Sequence, residues 1–304
     1  VPLEGDMEET VGISRRFGVF RMSAREGLHI LRRWPVVPVV ILTTFVVAGI
    51  FAPLIAPHSP YEQNLEASRT PPAWYAKGSA KYPLGTDYVG RDVLSRLIHG
   101  ARVSMLVMAI SMGSGLLVGS TLGVVAGYCG GWTEEILMRL ADVWWSLPFL
   151  LVALVAAVVL GQSFGLVLGI LALSAWSAFV RNVRAEVLSL KTRDYVALAH
   201  VAGASHVRTM LRHIVPGVTN TIVVIATLQV GGLILAEASL SFLGVGIPAP
   251  RPAWGLMVAE GRDYLVDSWW IPFFPGLAIF LVVMSLNFLG DWLRDRLDPR
   301  LRQL

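Results

Sequence analysis

Between Asp142 and Arg181 the chain carries no charged side chain at all. As one helix that stretch would rise about 57 Å, nearly twice the ~30 Å hydrocarbon core of a bilayer. The polar, flexible Gly161-Gln162-Ser163 sits near its middle. The stretch therefore predicts a tight hairpin of two spanning helices. The rest of the sequence has the same character. It is 55% hydrophobic and only 15% charged, where a soluble domain carries about a quarter charged residues, and its charges gather between long apolar runs.

Four more runs are long enough to span. The first, over 35–57, ends at Pro53 and Pro57. It exceeds the apolar region of a signal peptide, about 7–15 residues, and is expected to stay as an anchor. The second, over 102–126, is full of Gly, Ser and Ala, which let helix backbones approach closely in lipid. The others cover 214–236 and 271–290. The expected fold is an all-α polytopic membrane protein with about six transmembrane helices. Its polar connections are an extracytoplasmic loop over 58–101 and an outer loop over 237–270. A five-helix core fills 102–290, with an inner loop over 181–213. An even number of spans places the segments 1–34 and 291–304 on one side. With both inside, the inner segments hold 17 of the 25 lysines and arginines and the outer ones hold 8. This bias orients both termini toward the cytoplasm.

Several chemistries drop out. The single cysteine, Cys129, cannot form an internal disulfide or by itself a cysteine-based metal site, and is expected to be a buried thiol. No phosphate-binding P-loop, HExxH helix or GxSxG elbow occurs. The six histidines show no ligand spacing, so no metal is assigned. The net charge of +4 follows membrane orientation and does not call for nucleic acid.

The inner loop is the informative segment. Tyr195, Leu198, Ala199 and Ala202 recur at helical spacing, and so do Val207, Met210, Leu211 and Ile214. Between the two sets lies Gly203-Ala204-Ser205, a glycine that can end one helix and a serine that can cap the next. Two short amphipathic helices are expected. An interfacial pair held to lipid by Arg208 and Arg212 is one reading, and a docking element for a partner groove is the other. The small Ala199, Gly203 and Ala204 suit close approach to protein.

The stretch from Asp194-Tyr195-Val196-Ala197-Leu198-Ala199 through Gly203-Ala204-Ser205 to Pro216 resembles the EAA loop of ABC importer permeases, with Gly203 thirteen residues before Pro216. Ala197-Leu198-Ala199 replaces the family's opening Glu-Ala-Ala, so any salt bridge of that glutamate does not carry over. The segment Pro83-Leu84-Gly85-Thr86-Asp87, with Gly90-Arg91-Asp92, resembles the entry to the second span of dipeptide, oligopeptide and nickel permeases. So does Glu237-Ala238-Ser239, with Pro252-Ala253-Trp254-Gly255 and Glu260-Gly261, for the region after the fifth span.

The resemblance covers almost the whole chain and implies the type I importer permease fold. It implies a second homologous permease, two cytoplasmic ATPase subunits carrying ATP and Mg, and an extracytoplasmic substrate-binding protein. This chain would hold no cofactor and catalyse nothing. Its coupling residues would be Asp194, Tyr195, Ala199, Gly203, Ala204, Ser205, Arg208 and Pro216. Peptides, nickel chelates, opines and oligosaccharides are all carried by such permeases.

Elsewhere, Glu237 is expected at the wet end of the fifth span; the alternative is a pathway position facing a peptide amino terminus. Gln229, Ser111, Thr227 and Asn287 lie inside spans, where polar side chains bond a neighbouring helix or line the pathway. Asp87, Arg91 and Asp92 either meet the binding protein or form local ion pairs and caps. The tryptophans at 144, 145, 254, 269 and 270 are expected to belt the membrane interface. A self-sufficient secondary transporter would show internal repeats or buried charges in its spans, and a membrane-embedded enzyme would need a nucleophile and base at membrane depth. Neither pattern is evident.

Overall fold

The long apolar runs all form helices, because in lipid the backbone must satisfy its own hydrogen bonds. The computed structural model describes residues 35–297; the expected inner segment 1–34 and the end of the tail, 298–304, lie outside the described residues. Five helices are long and apolar enough to span: α1 (Val36–Ile55), α2 (Val93–Cys129), α5 (Phe164–Lys191), α7 (His206–Phe242) and α9 (Trp270–Leu297). Between α2 and α5 lie α3 (Gly131–Ser146) and α4 (Phe149–Leu160), bent by 81° and counting as a sixth span if taken together. Two short helices complete the set, α6 (Asp194–Val201) and α8 (Trp254–Gly261).

The hairpin break falls where the sequence places it, with Gly161 in the left-handed region and Ser163 accepting from the Leu166 N–H to cap α5. The first half of the hairpin differs from expectation. Pro148 lacks an N–H and pushes Leu147 into extended backbone (φ −94°, ψ 130°), so α3 stops and α4 leaves in a new direction. Alone, the 12 residues of α4 rise only about 18 Å.

Helix bounds also exceed the apolar runs. α2 begins at Val93 because Asp92 accepts from the Leu94 and Ser95 N–H groups as its cap. α9 continues through charged residues to Leu297. The second of the two short inner helices is not separate: residues 206–214 run directly into the fifth span. A π-helical turn over Met210–Ile214 lies just ahead of Pro216. A wider turn there accommodates a residue that can make no i→i−4 bond, so the helix carries through the proline.

α2 packs along α5 on a ladder of glycines four residues apart. A Cβ on Gly115 would stand 2.9 Å from the Phe179 ring, on Gly119 2.5 Å from the Trp176 carbonyl oxygen, on Gly123 2.9 Å from the Val180 carbonyl oxygen and on Gly127 3.0 Å from the Arg184 carbonyl oxygen. The two backbones therefore touch along four turns, the close approach that small residues permit in lipid. Ion pairs tie α3 to the same helix, Arg184 with Glu134 and Arg181 with Asp142 at 2.6 Å. α7 leans on α9 in the same manner, Gly290 against Leu228 and Gly231 near Asn287.

Ala substitution at Gly119 or Gly123 is expected to lower the thermal midpoint in detergent, because overpacking costs about 1–3 kcal/mol and outweighs the ~1 kcal/mol helix-propensity gain. Gly113→Ala, whose Cβ meets nothing within 4 Å, should leave the midpoint unchanged or raise it. Equal midpoints for all three would remove the ladder as the source of packing.

Candidate functional site

One end of the bundle carries an exposed turn. α6 ends in a Schellman arrangement: the Ala204 N–H donates to the Ala199 carbonyl at 3.0 Å and the Gly203 N–H to the His200 carbonyl at 2.9 Å. Gly203 has φ +79°, which a side chain would strain, and a Cβ there would meet no atom within 4 Å. Ser205 accepts from the Arg208 N–H and caps α7. Apolar side chains stand out around this turn: Val201 is 86% exposed, Leu198 66% and Leu211 61%. A contiguous apolar surface of this kind marks a contact site for a partner.

The turn is exposed but firmly rooted. Val196 is buried in a cluster with Val124, Val183, Val187, Ile214 and Val218, which joins α6 to α2, α5 and α7. Tyr128, at the end of the glycine ladder, places its hydroxyl 3.1 Å from His206 Nδ1 and 3.4 Å from His200 Nε2. Lys191 at the end of α5 donates to the Tyr128 carbonyl at 2.9 Å. A push on α6 therefore reaches the α2–α5 pair directly.

The opposite end is closed by an ionic cluster. Asp87 Oδ2 accepts from Arg91 Nε and from Arg96 Nη1, each at 2.6 Å, and Glu260 Oε2 accepts from Arg91 at 3.1 Å and Arg96 at 2.8 Å. All but Glu260, itself 12% exposed at its side chain, are nearly inaccessible. Burial alone disfavours the Arg91 charge, but Asp87 and then Glu260 outweigh it and hold the pKa above the ordinary guanidinium value. Burial also pushes the Tyr88 phenol up, with the Glu260 charge adding to it. Trp254 donates to the Leu97 carbonyl and Trp270 to the Thr86 carbonyl, pinning α8 and α9 onto the same segment.

Residues 119–303 match the family model described as the binding-protein-dependent transport system inner membrane component, and residues 33–72 match the N-terminal TM domain of oligopeptide transport permease C. The di/tripeptide transport system permease of Pseudomonas aeruginosa is 42% identical over 84% of this chain and 85% of its own. The dipeptide transport system permease of Escherichia coli K12 is 44% identical over 87% of each. The glutathione transport system permease of Pectobacterium atrosepticum is 41% identical over 74% of each. The chain belongs to this family of inner-membrane permeases. It is a permease subunit of a binding-protein-dependent ABC importer.

Of the residues expected to couple this permease to a partner, Ala199, Gly203, Ala204, Ser205 and Arg208 flank the exposed turn, while Asp194 starts α6 and Pro216 lies further along α7. Asp194, Tyr195, Gly203, Ser205, Arg208 and Pro216 are exposed, while Ala199 and Ala204 are half-buried. Other expectations need correction. Asp87, Arg91 and Asp92 do not present themselves to a partner: they are 1%, 4% and 2% exposed, turned into the ionic cluster and, for Asp92, onto Ser95 and His58.

Glu237 is not at a wet helix end but buried within α7, which continues to Phe242, and it accepts from Ser241 Oγ at 2.7 Å. Ser111 is fully buried and so lines no pathway in this conformation. Asn287 is exposed and Gln229 half-buried. Trp254 and Trp270 are core residues, not belt residues, and Cys129 is exposed.

Sequence reading missed Arg96, Glu260, Tyr128 and Lys191. The (i, i+4) glycines leading to Tyr128 were a visible signal; Glu260 lies 164 residues from Arg96, and no local pattern joins them.

Asp87→Asn is expected to cost about 3–5 kcal/mol, as for one partner removed from a buried pair, because it leaves two buried arginines with only the partly exposed Glu260 as counter-charge. Glu260→Gln should cost less, since water already reaches Glu260. Thermal unfolding of the two variants checks the order; a Glu260 variant less stable than the Asp87 one would reverse the roles assigned here.

Proposed function

We propose that this permease forms one half of a translocation pathway for di- or oligopeptides, delivered by an extracytoplasmic binding protein and driven by ATPase subunits that grip the turn around Gly203. The exposed apolar surface of Leu198, Val201 and Leu211 on a rigidly rooted turn carries this reading. It suits insertion of a short helix into a partner groove, and Ala199, Gly203, Ala204 and Ser205 of the coupling set adjoin it in the chain. The permease names of the relatives support peptides as cargo. Nickel chelates, opines or oligosaccharides are the alternatives within the same machine.

In this scheme the turn faces the cytoplasm, as do both chain ends, and the ionic cluster faces outward. A second homologous permease supplies the other wall, and two ATPase subunits hold ATP with Mg. Closure of the ATPases moves α6, the α2–α5 pair follows, and the pathway opens outward. ATP must bind the two states unequally, because a ligand of equal affinity for both shifts nothing. Gln229 and Asn287 are the polar span residues left with access to a pathway.

Gly203→Arg is expected to leave the permease inserted and to abolish peptide uptake and ATPase co-purification, since the charge would point into the groove that receives the turn. Normal assembly and uptake by this variant would defeat the docking reading. A tag placed after Arg302 should be reached by reagents only from the cytoplasmic side, and labelling in intact cells would overturn the orientation.

A further inference from the structure

Beside the turn, α5, α7 and α9 enclose a cleft of about 560 Å³. Its walls carry charges of both signs: Glu186 on α5, Arg193 just past the end of α5 and Arg294 on α9, with Asn182, Asn220 and Thr221 also lining it. Among the described residues none of these three charged side chains is engaged in an ion pair or a side-chain hydrogen bond. Asn182 donates Nδ2–H to the Ala178 carbonyl, leaving its Oδ1 as an acceptor. An anionic lipid surface would suit the two arginines but not a carboxylate in the same cleft. A purely cationic ligand would suit the carboxylate but not the arginines. The complementary ligand carries one charge of each sign at its two ends.

We propose that this cleft is a peptide-binding site within the permease itself, at which Glu186 takes the peptide α-amino group and Arg193 or Arg294 takes the α-carboxylate. The inference rests on the peptide-importer reading and adds the part of the peptide that is recognised. Glu186 lies five residues, about 7.5 Å along the axis, before the end of α5 at Lys191, and Arg193 stands two residues past that end in extended backbone. An extended chain of two or three residues spans about 7–10 Å, so di- and tripeptides reach from one charge to the other. The amides of Asn182 and Asn220 have the donors and acceptors to meet a peptide bond whatever its side chains. A transport site has to release its cargo, and a water-open cleft with single charge pairs keeps binding weak.

The test uses the complete transporter in detergent, with Cys129→Ser removing the native exposed thiol and Thr221→Cys, in the cleft lining, as the reporter. Alkylation of the reporter by a small maleimide is timed with dialanine, N-acetyl-dialanine, dialanine amide or glycerol phosphate. Dialanine is expected to slow labelling, and each blocked peptide to bind about tenfold more weakly, the loss of one charge-assisted bond. Glu186→Gln should abolish discrimination against the acetylated peptide alone, and Arg193→Gln or Arg294→Gln discrimination against the amide alone.

Absence of protection by dialanine, equal protection by all three peptides, or protection by glycerol phosphate instead would overturn the site. Uptake of labelled dialanine into proteoliposomes with the binding protein is measured in parallel. Uptake without protection removes the cleft and leaves the importer reading intact, whereas no uptake of any peptide removes both.

Discussion

The contact on which the rest of the structure depends is the backbone approach of α2 to α5. In lipid, apolar side chains gain little by leaving one hydrocarbon for another, so helices associate through close packing of their backbones. Gly115, Gly119, Gly123 and Gly127 remove four successive side chains from one face of α2, and the carbonyls and β-carbons of Trp176, Val180, Val183 and Arg184 occupy the space. Such a joint resists shear, because sliding either helix brings a backbone atom onto a neighbouring side chain. It ends at Tyr128, whose hydroxyl and carbonyl hold the histidines of the turn and the last lysine of α5. The exposed turn is thus coupled to the longest continuous pair in the bundle.

At the other end α2 is fixed to α8 by charge. α2 begins beside Arg91 and Arg96, and their two carboxylate partners come from the preceding segment and from α8. Buried ion pairs add little net stability over well-packed apolar groups, but they penalise any arrangement that separates them. Arg96 sharpens the penalty, since its Nε and Nη2 are buried without a hydrogen-bond partner among the described residues. The end opposite the turn is consequently built to hold one geometry, and a change there moves the segment 85–96 and α8 together.

Much of this was legible in the sequence, because the bilayer imposes a simple rule on length and charge. The apolar runs located the spans, Gly161 located the hairpin, and Gly203 with Ser205 located the turn, each through one local backbone requirement. What stayed hidden depended on partners distant in the chain. Glu237 reads as a helix end because an acid interrupts an apolar run, yet Ser241 one turn later supplies its hydrogen bond and the helix continues. The tryptophans at 254 and 270 read as an interface belt, yet their indole N–H groups find backbone carbonyls from another segment. Residues 206–214 read as a separate short helix from the spacing of Val207, Met210, Leu211 and Ile214, yet they run through a π turn directly into the fifth span.

The position of the polar cleft follows from these same joints. α7 leaves the turn and meets α9 at Thr227 and Leu228, where Gly290 allows it, and again at Gly231. Charged side chains of α9, of α5 and of the residues just past α5 line the cleft. Motion of the turn acts on α5 through Lys191 and on α7 through His206, one wall and the floor of the cleft. In the proposed scheme, a displacement of α6 shifts the α5 wall that carries Glu186, and this would link the affinity of the cleft to the state of the turn.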